Sequence, residues 1–352
     1  MKFEKPGLTT AVGSVPFTNP EKAVEKVLRA FPDIPAWPQL PNRSFLENMY
    51  VQFSEGIPCI VVDADREKIY FDTERDLMAE MELFYAEVIE RDLSRFGMSR
   101  EYAEGFYTFL ELAGREEVRS SIICAKGQIV GPISFGLTVT DQHKRAILYN
   151  DALMDGVVKS CALKAAWQVR ELKKLSPRVM VWLDEPYLAS FGSGYVSLSD
   201  EQVLSFIGET VENIHAEGGI AGIHCCGNTD WSILMKTDLD VINFDAYEYF
   251  RGMTLYPEAL KGFLGRGGVL ALGLIPTSDK IMSESVKSLT LKLKEKLDIL
   301  GEKTKMTARE VWQNCLLTPS CGTGTLKEDL ADRVLEVIGQ IRPDFQGLPH
   351  LQ

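Results

Sequence analysis

The residues with the most chemical potential lie in one hexapeptide, Ile223-His224-Cys225-Cys226-Gly227-Asn228. It closes an apolar run, Gly219–Cys226, that reads as a β-strand. Successive side chains of a strand point to opposite faces, so His224 and Cys226 share one face and Cys225 takes the other. The next apolar run ends in Asp245-Ala246-Tyr247-Glu248, which adds a carboxylate. The last ends in Pro319-Ser320-Cys321-Gly322, which adds a second thiol. One imidazole, two thiolates and a carboxylate form a tetrahedral set that suits zinc better than the harder magnesium or calcium. Two blander readings stand beside it. A histidine next to a cysteine is commonly a packed core pair, and Cys225-Cys226 is spaced as a vicinal redox pair, although its disulfide ring is strained.

These residues can converge only if the strands that carry them end at one rim. Eight short apolar, β-branched runs alternate with helix-length stretches: Thr9–Val15, Ile34–Gln39, Ile122–Ser134, Val179–Asp184, Gly219–Cys226, Val241–Tyr247, Val269–Leu274 and Cys315–Pro319. The helical stretches are Glu21–Phe31, Asp151–Lys174, Asp200–Ala216, Met282–Leu300 and Leu326–Ile341. Within the third, Val203, Phe206, Ile207, Val211 and Ile214 recur at helical spacing, as a helix packed on a sheet requires. The alternation predicts an α/β protein, a single (β/α)8 TIM barrel over residues 1–352, whose chemistry sits at the carboxyl ends of the strands. The connection Pro41–Val118 is far too long for a barrel loop. It predicts an insertion after the second strand, with a hairpin (Ile57–Val62 and Lys68–Phe71, turning at Asp63-Ala64-Asp65) and two helices (Glu74–Phe96 and Ser99–Leu112). No repeats or low-complexity linkers divide the chain.

Composition narrows the function classes. Of 352 residues, 45% are hydrophobic and 25% charged, the balance of a globular protein rather than a disordered or membrane-spanning one. A net charge of −12 argues against a general affinity for nucleic acid or anionic membranes, which need clustered Lys and Arg. The seven cysteines are odd in number, and MKFEKPGLTT has no apolar leader segment. A cytoplasmic protein with reduced thiols is expected.

The ordered motifs resemble the catalytic, carboxy-terminal barrel of cobalamin-independent methionine synthase, within the superfamily that includes uroporphyrinogen decarboxylase. Thr9-Thr10-Ala11-Val12-Gly13-Ser14-Val15-Pro16 is similar to the family's T-T-x-I-G-S-F-P, and Leu183-Asp184-Glu185-Pro186 to its I-D-E-P. His224-Cys225-Cys226 resembles its H-x-C zinc pair, Glu248 its zinc carboxylate, and Cys321-Gly322 its final zinc thiolate. Gly131-Pro132-Ile133 resembles a family strand end and reads as architecture. The resemblance implies zinc at His224, Cys226, Glu248 and Cys321. It implies that Val12, Gly13 and Ser14 take the carboxylate of homocysteine, and that Asp184 and Glu47 take its ammonium group.

The departures from the family bear on the methyl donor. Full-length members have two barrels, and the folate-using ones have a histidine after the seventh strand that protonates the leaving folate nitrogen. Here that stretch is Leu270-Ala271-Leu272-Gly273-Leu274-Ile275-Pro276, and the family's folate-contacting glutamate is replaced within Tyr187-Leu188-Ala189-Ser190. A methyl–cobalt donor needs no such acid. The expectation is therefore a zinc-dependent methyltransferase that carries a methyl group from methylcobalamin, or from a methylated corrinoid protein, to the homocysteine thiol, giving methionine. Glu248, the hardest ligand, is expected to yield to the incoming sulfur. The insertion is the candidate cover or docking site for a corrinoid protein. His143 reads as a surface or capping residue. The alternatives are a methyltransferase for another thiol such as coenzyme M, a decarboxylase of the uroporphyrinogen type, and a non-catalytic zinc- or corrinoid-binding barrel.

Overall fold

A computed structural model describes residues 6–193 and 196–341; residues 1–5, where the stretch read as lacking a leader begins, lie outside them. Its strands are β1 (Ile60–Asp63), β2 (Lys68–Phe71), β3 (Ala125–Val130), β4 (Val179–Asp184), β5 (Ile220–Cys225), β6 (Val241–Phe244), β7 (Val269–Ile275) and β8 (Cys315–Pro319). The longer helices are α1 (Pro20–Ala30), α2 (Leu77–Glu90), α3 (Glu104–Ala113), α4 (Pro132–Thr138), α5 (Asp151–Leu172), α6 (Asp200–Ala216), α7 (Pro257–Gly265), α8 (Val286–Thr304) and α9 (Glu328–Gln340). Strands β3 to β8 form one parallel sheet in sequence order, with helices crossing between them. Local chemistry starts the helices: Asn19 caps α1 ahead of Pro20, and Ser199 with Gln202 forms a capping box on α6.

The closed eight-stranded TIM barrel expected from the alternation is not what the chain forms. The sheet has six strands, an open half-barrel, and the runs Thr9–Val15 and Ile34–Gln39 are not strands. They keep only isolated parallel bridges: Thr9 to Leu317, Ser14 to Gln39 and Ala36 to Lys126. Pro35 and Pro38 within the second run, and Pro16 directly after the first, lack the N–H that a continuous ladder needs. The third run is also shorter than expected, because Pro132 starts α4 directly after Gly131.

Two packed regions sandwich the sheet. Inside its curve, Trp182, Met180, Ala271, Leu316 and Leu8 form a small buried cluster. Outside, the sheet packs on its helices through a much larger one. Segment 41–118 contains the hairpin β1–β2, paired from Ile60–Phe71 to Asp63–Lys68, together with α2 and α3. It is tied down by the Tyr85 hydroxyl on Asp155 of α5, and by Phe106, which lies 5.5 Å from the Trp37 ring and 5.0 Å from that of Trp167.

Candidate metal centre and amino acid cavity

Strands β4, β5 and β6 align Asp184, His224 and Asn243 side by side at their carboxyl ends. One ligand atom each from His224, Cys226 and Cys321 lies within 4.8 Å of the other two. Strand alternation sends Cys225 to the other side, where it is buried with its thiol on the Gly227 carbonyl. The imidazole tautomer follows from its neighbour. Asn243 Nδ2 donates to the Ala271 carbonyl (2.7 Å) and to Thr318 Oγ1 (2.8 Å), so Oδ1 faces His224 Nδ1 at 2.5 Å. An amide oxygen only accepts, so Nδ1 carries the proton and Nε2 keeps a free lone pair. Nε2 is buried and has no hydrogen-bond partner. An orphaned imidazole nitrogen facing two thiols fits zinc, with Asn243 as the outer group that fixes ligand orientation.

The electrostatics agree with a cation site. Cys321 and then His224 hold the Cys226 thiol far below its ordinary range, while contact with Cys226 and burial push Cys321 up. Burial works to lower His224, but the Cys226 and Asp184 charges outweigh it and raise the imidazole. Such a set releases protons when a divalent cation arrives.

The three ligands lie in the wall of a cavity of about 250 Å³ that is also lined by Val12, Ser14, Glu47 and Asp184. Glu47 is fully buried and pairs through Oε1 with Arg43, whereas its Oε2 has no partner. Burial lifts its carboxyl to about 7, against the pull of Arg43. Asp184 is 5% exposed, and its Oδ1 is likewise orphaned. Burial lifts it to about 6, offset by His224 and Lys126. Two buried carboxylates with unpartnered oxygens invite a cationic ligand group. The adjacent Glu185 has a different job. It accepts from the Ile133 and Ser134 N–H groups and the Ser134 hydroxyl at 2.6–2.9 Å, so it caps the start of α4.

Gly13 is not in the cavity lining but seats the turn that is. A Cβ there would meet Gln128 Cδ and Gln39 Oε1 at 2.7 Å, so a larger residue would have to push both glutamine side chains aside. The Ser14 carbonyl accepts from Thr323 N (2.8 Å) and Oγ1 (3.1 Å), which ties this turn to the loop carrying Cys321. Glu248 is not brought to the cluster. Its carboxylate sits on Lys280 Nζ at 2.5 Å, with a side chain 43% exposed. His143 is exposed in a turn where its N–H binds Asp141. Sequence reasoning missed Asn243, Gln39, Met49 and Lys126. The signal for Lys126 was present, since Lys126 and Gln128 share one face of an otherwise apolar strand.

No family model matches the chain, and no curated protein matches it. Among solved structures it is similar to the crystal structure of a protein from Listeria monocytogenes provisionally named a vitamin-B12 independent methionine synthase. The identity is 13% and the TM-score 0.45, over 95% of this chain and 97% of that one. A likeness this distant carries no argument about chemistry, which rests on the residues described above.

Proposed function

We propose that the protein is a zinc-dependent thiol methyltransferase acting on an amino acid thiol, with homocysteine as the substrate that best suits the cavity. One observation carries the reading. The His224–Cys226–Cys321 triad and the two orphaned carboxylate oxygens of Glu47 and Asp184 open onto the same small cavity. A ligand with a thiol at one end and an ammonium at the other satisfies both. Zinc, when bound, lowers the pKa of a thiol so that a thiolate exists at neutral pH.

The chain's own residues then orient the substrate. Asp184 and Glu47 hold the ammonium, the Val12–Ser14 turn takes the carboxylate, and the sulfur is aimed outward for in-line displacement. Coenzyme M has no ammonium for these carboxylates, which disfavours that substrate. The Leu270–Pro276 stretch offers no acid to protonate a leaving amine, so the methyl donor we propose is methylcobalamin, free or on a corrinoid protein. The test is anaerobic demethylation of methylcobalamin by the zinc-loaded protein, with homocysteine and then with coenzyme M. Reaction with homocysteine alone is expected. Reaction with coenzyme M alone would replace the substrate, and reaction with neither would favour a donor held on a corrinoid protein or a non-catalytic binding protein.

A further inference from the structure

Lys126 is a lysine where packing alone calls for an apolar residue. It lies in β3, fully buried, in a strand whose residues are all buried. Its Nζ donates to the Val12 carbonyl at 2.7 Å and to Gln128 Oε1 at 3.3 Å, and sits 4.3 Å from the centroid of the Trp182 ring. Burying an ammonium is costly, and a methionine would fill the same volume without that cost.

What the ammonium does follows from peptide geometry. In a trans peptide the C=O and the next N–H point in opposite directions. Drawing the Val12 carbonyl inward onto Lys126 therefore turns the Gly13 N–H away from the interior. Neither the Gly13 nor the Ser14 N–H finds an acceptor among the described residues. The turn is also fixed from below, because Gln128, which underlies Gly13, donates through Nε2 to the Trp37 carbonyl at 2.9 Å. Two successive free N–H groups beside a cavity make a concavity for an anion.

We propose that Lys126 is a positioning residue for the substrate carboxylate: its bond to the Val12 carbonyl sets the Val12–Ser14 turn so that the Gly13 and Ser14 N–H groups receive that carboxylate. This rests on the amino acid thiol reading above. Lys126 touches no substrate, and its effect on the carboxylate passes through the backbone.

Calorimetry on the zinc-loaded protein tests it with two ligands, homocysteine and 3-aminopropane-1-thiol, which differ only in the carboxylate. In the unmodified protein homocysteine should bind about 10- to 100-fold more tightly, the range for a charge-assisted hydrogen-bond pair. In Lys126→Met that preference should vanish at unchanged zinc content, with the larger loss falling on homocysteine and a smaller change on the decarboxylated thiol, whose ammonium meets Asp184. A merely structural role would weaken both ligands together. Lys126→Leu, which likewise has no donor, is measured in parallel, so that the test survives if the methionine variant does not fold. A folded variant that keeps the preference overturns the proposal, as does its absence from the unmodified protein. If the unmodified protein binds neither thiol, the proposed function falls as well, which separates the two failures.

Discussion

Asn243 and the three ligand residues set the terms at the scale of single side chains. Because the Asn243 amide is locked by Ala271 and Thr318, it dictates the His224 tautomer, so Asn243→Ala should weaken zinc binding about 10- to 100-fold. Chelator competition on protein shown to be folded by melting reads this directly, and unchanged affinity would remove Asn243 from the site. Cys226→Ser and Cys321→Ser should each abolish stoichiometric zinc in a metal analysis, whereas Glu248→Gln should retain it, because Glu248 rests on Lys280. Asp184→Asn should cost about tenfold or more in affinity for thiols that bear an ammonium group, and little for those that do not. His224 and Cys226 were legible as a pair from strand alternation, and Cys321 from its place just past the last apolar run. The place of Glu248 was not, because it lies in the turn beyond β6, where Asp245 takes the Tyr247 and Glu248 N–H groups and a rival cation stands nearby. Asn243 was hidden for another reason, since its role depends on a neighbour across the sheet.

Elements set the precision with which those side chains meet. Gly222 of β5 lets the buried Trp182 of β4 lie against its backbone. A Cβ there would come within 2.2 Å of the indole, so Gly222→Ala should destabilise by about 1–3 kcal/mol in chemical denaturation. At the opposite end of the same strands, His215 of α6 bonds to Asp240 at 2.8 Å, just before β6. That bond, with burial opposing it, raises the imidazole above its ordinary 6.5. A raised folded-state pKa gives stability that is present below 6.5 and lost as pH climbs through the higher folded value. His215→Gln should therefore flatten the fall in stability above pH 6.5, and an unchanged pH profile of unfolding would refute the link. Most helices and six strands were legible from apolar periodicity. The bridge-only state of the first two runs was not, because periodicity does not register the N–H groups that prolines 16, 35 and 38 remove.

Over the whole molecule, an open parallel sheet brings His224 of β5, Cys226 just beyond it and Cys321 just beyond β8 to one cavity, together with Asp184 of β4. Segment 41–118 contributes Glu47 to the wall of that cavity as well as packing on α5. The hairpin and the two helices expected within this segment are present, but composition alone could not tell which of its many acids turns inward. Glu47 does, fully buried, and Arg43 four residues earlier meets it there. No helix among the described residues is long and apolar enough to cross a membrane.

The central claim is that metal and amino acid sites serve one substrate, and zinc X-ray absorption with and without homocysteine tests it most directly. The account predicts sulfur from Cys226 and Cys321 in the free protein and one additional sulfur when homocysteine is bound. A sulfur count that does not change at saturating homocysteine would contradict it.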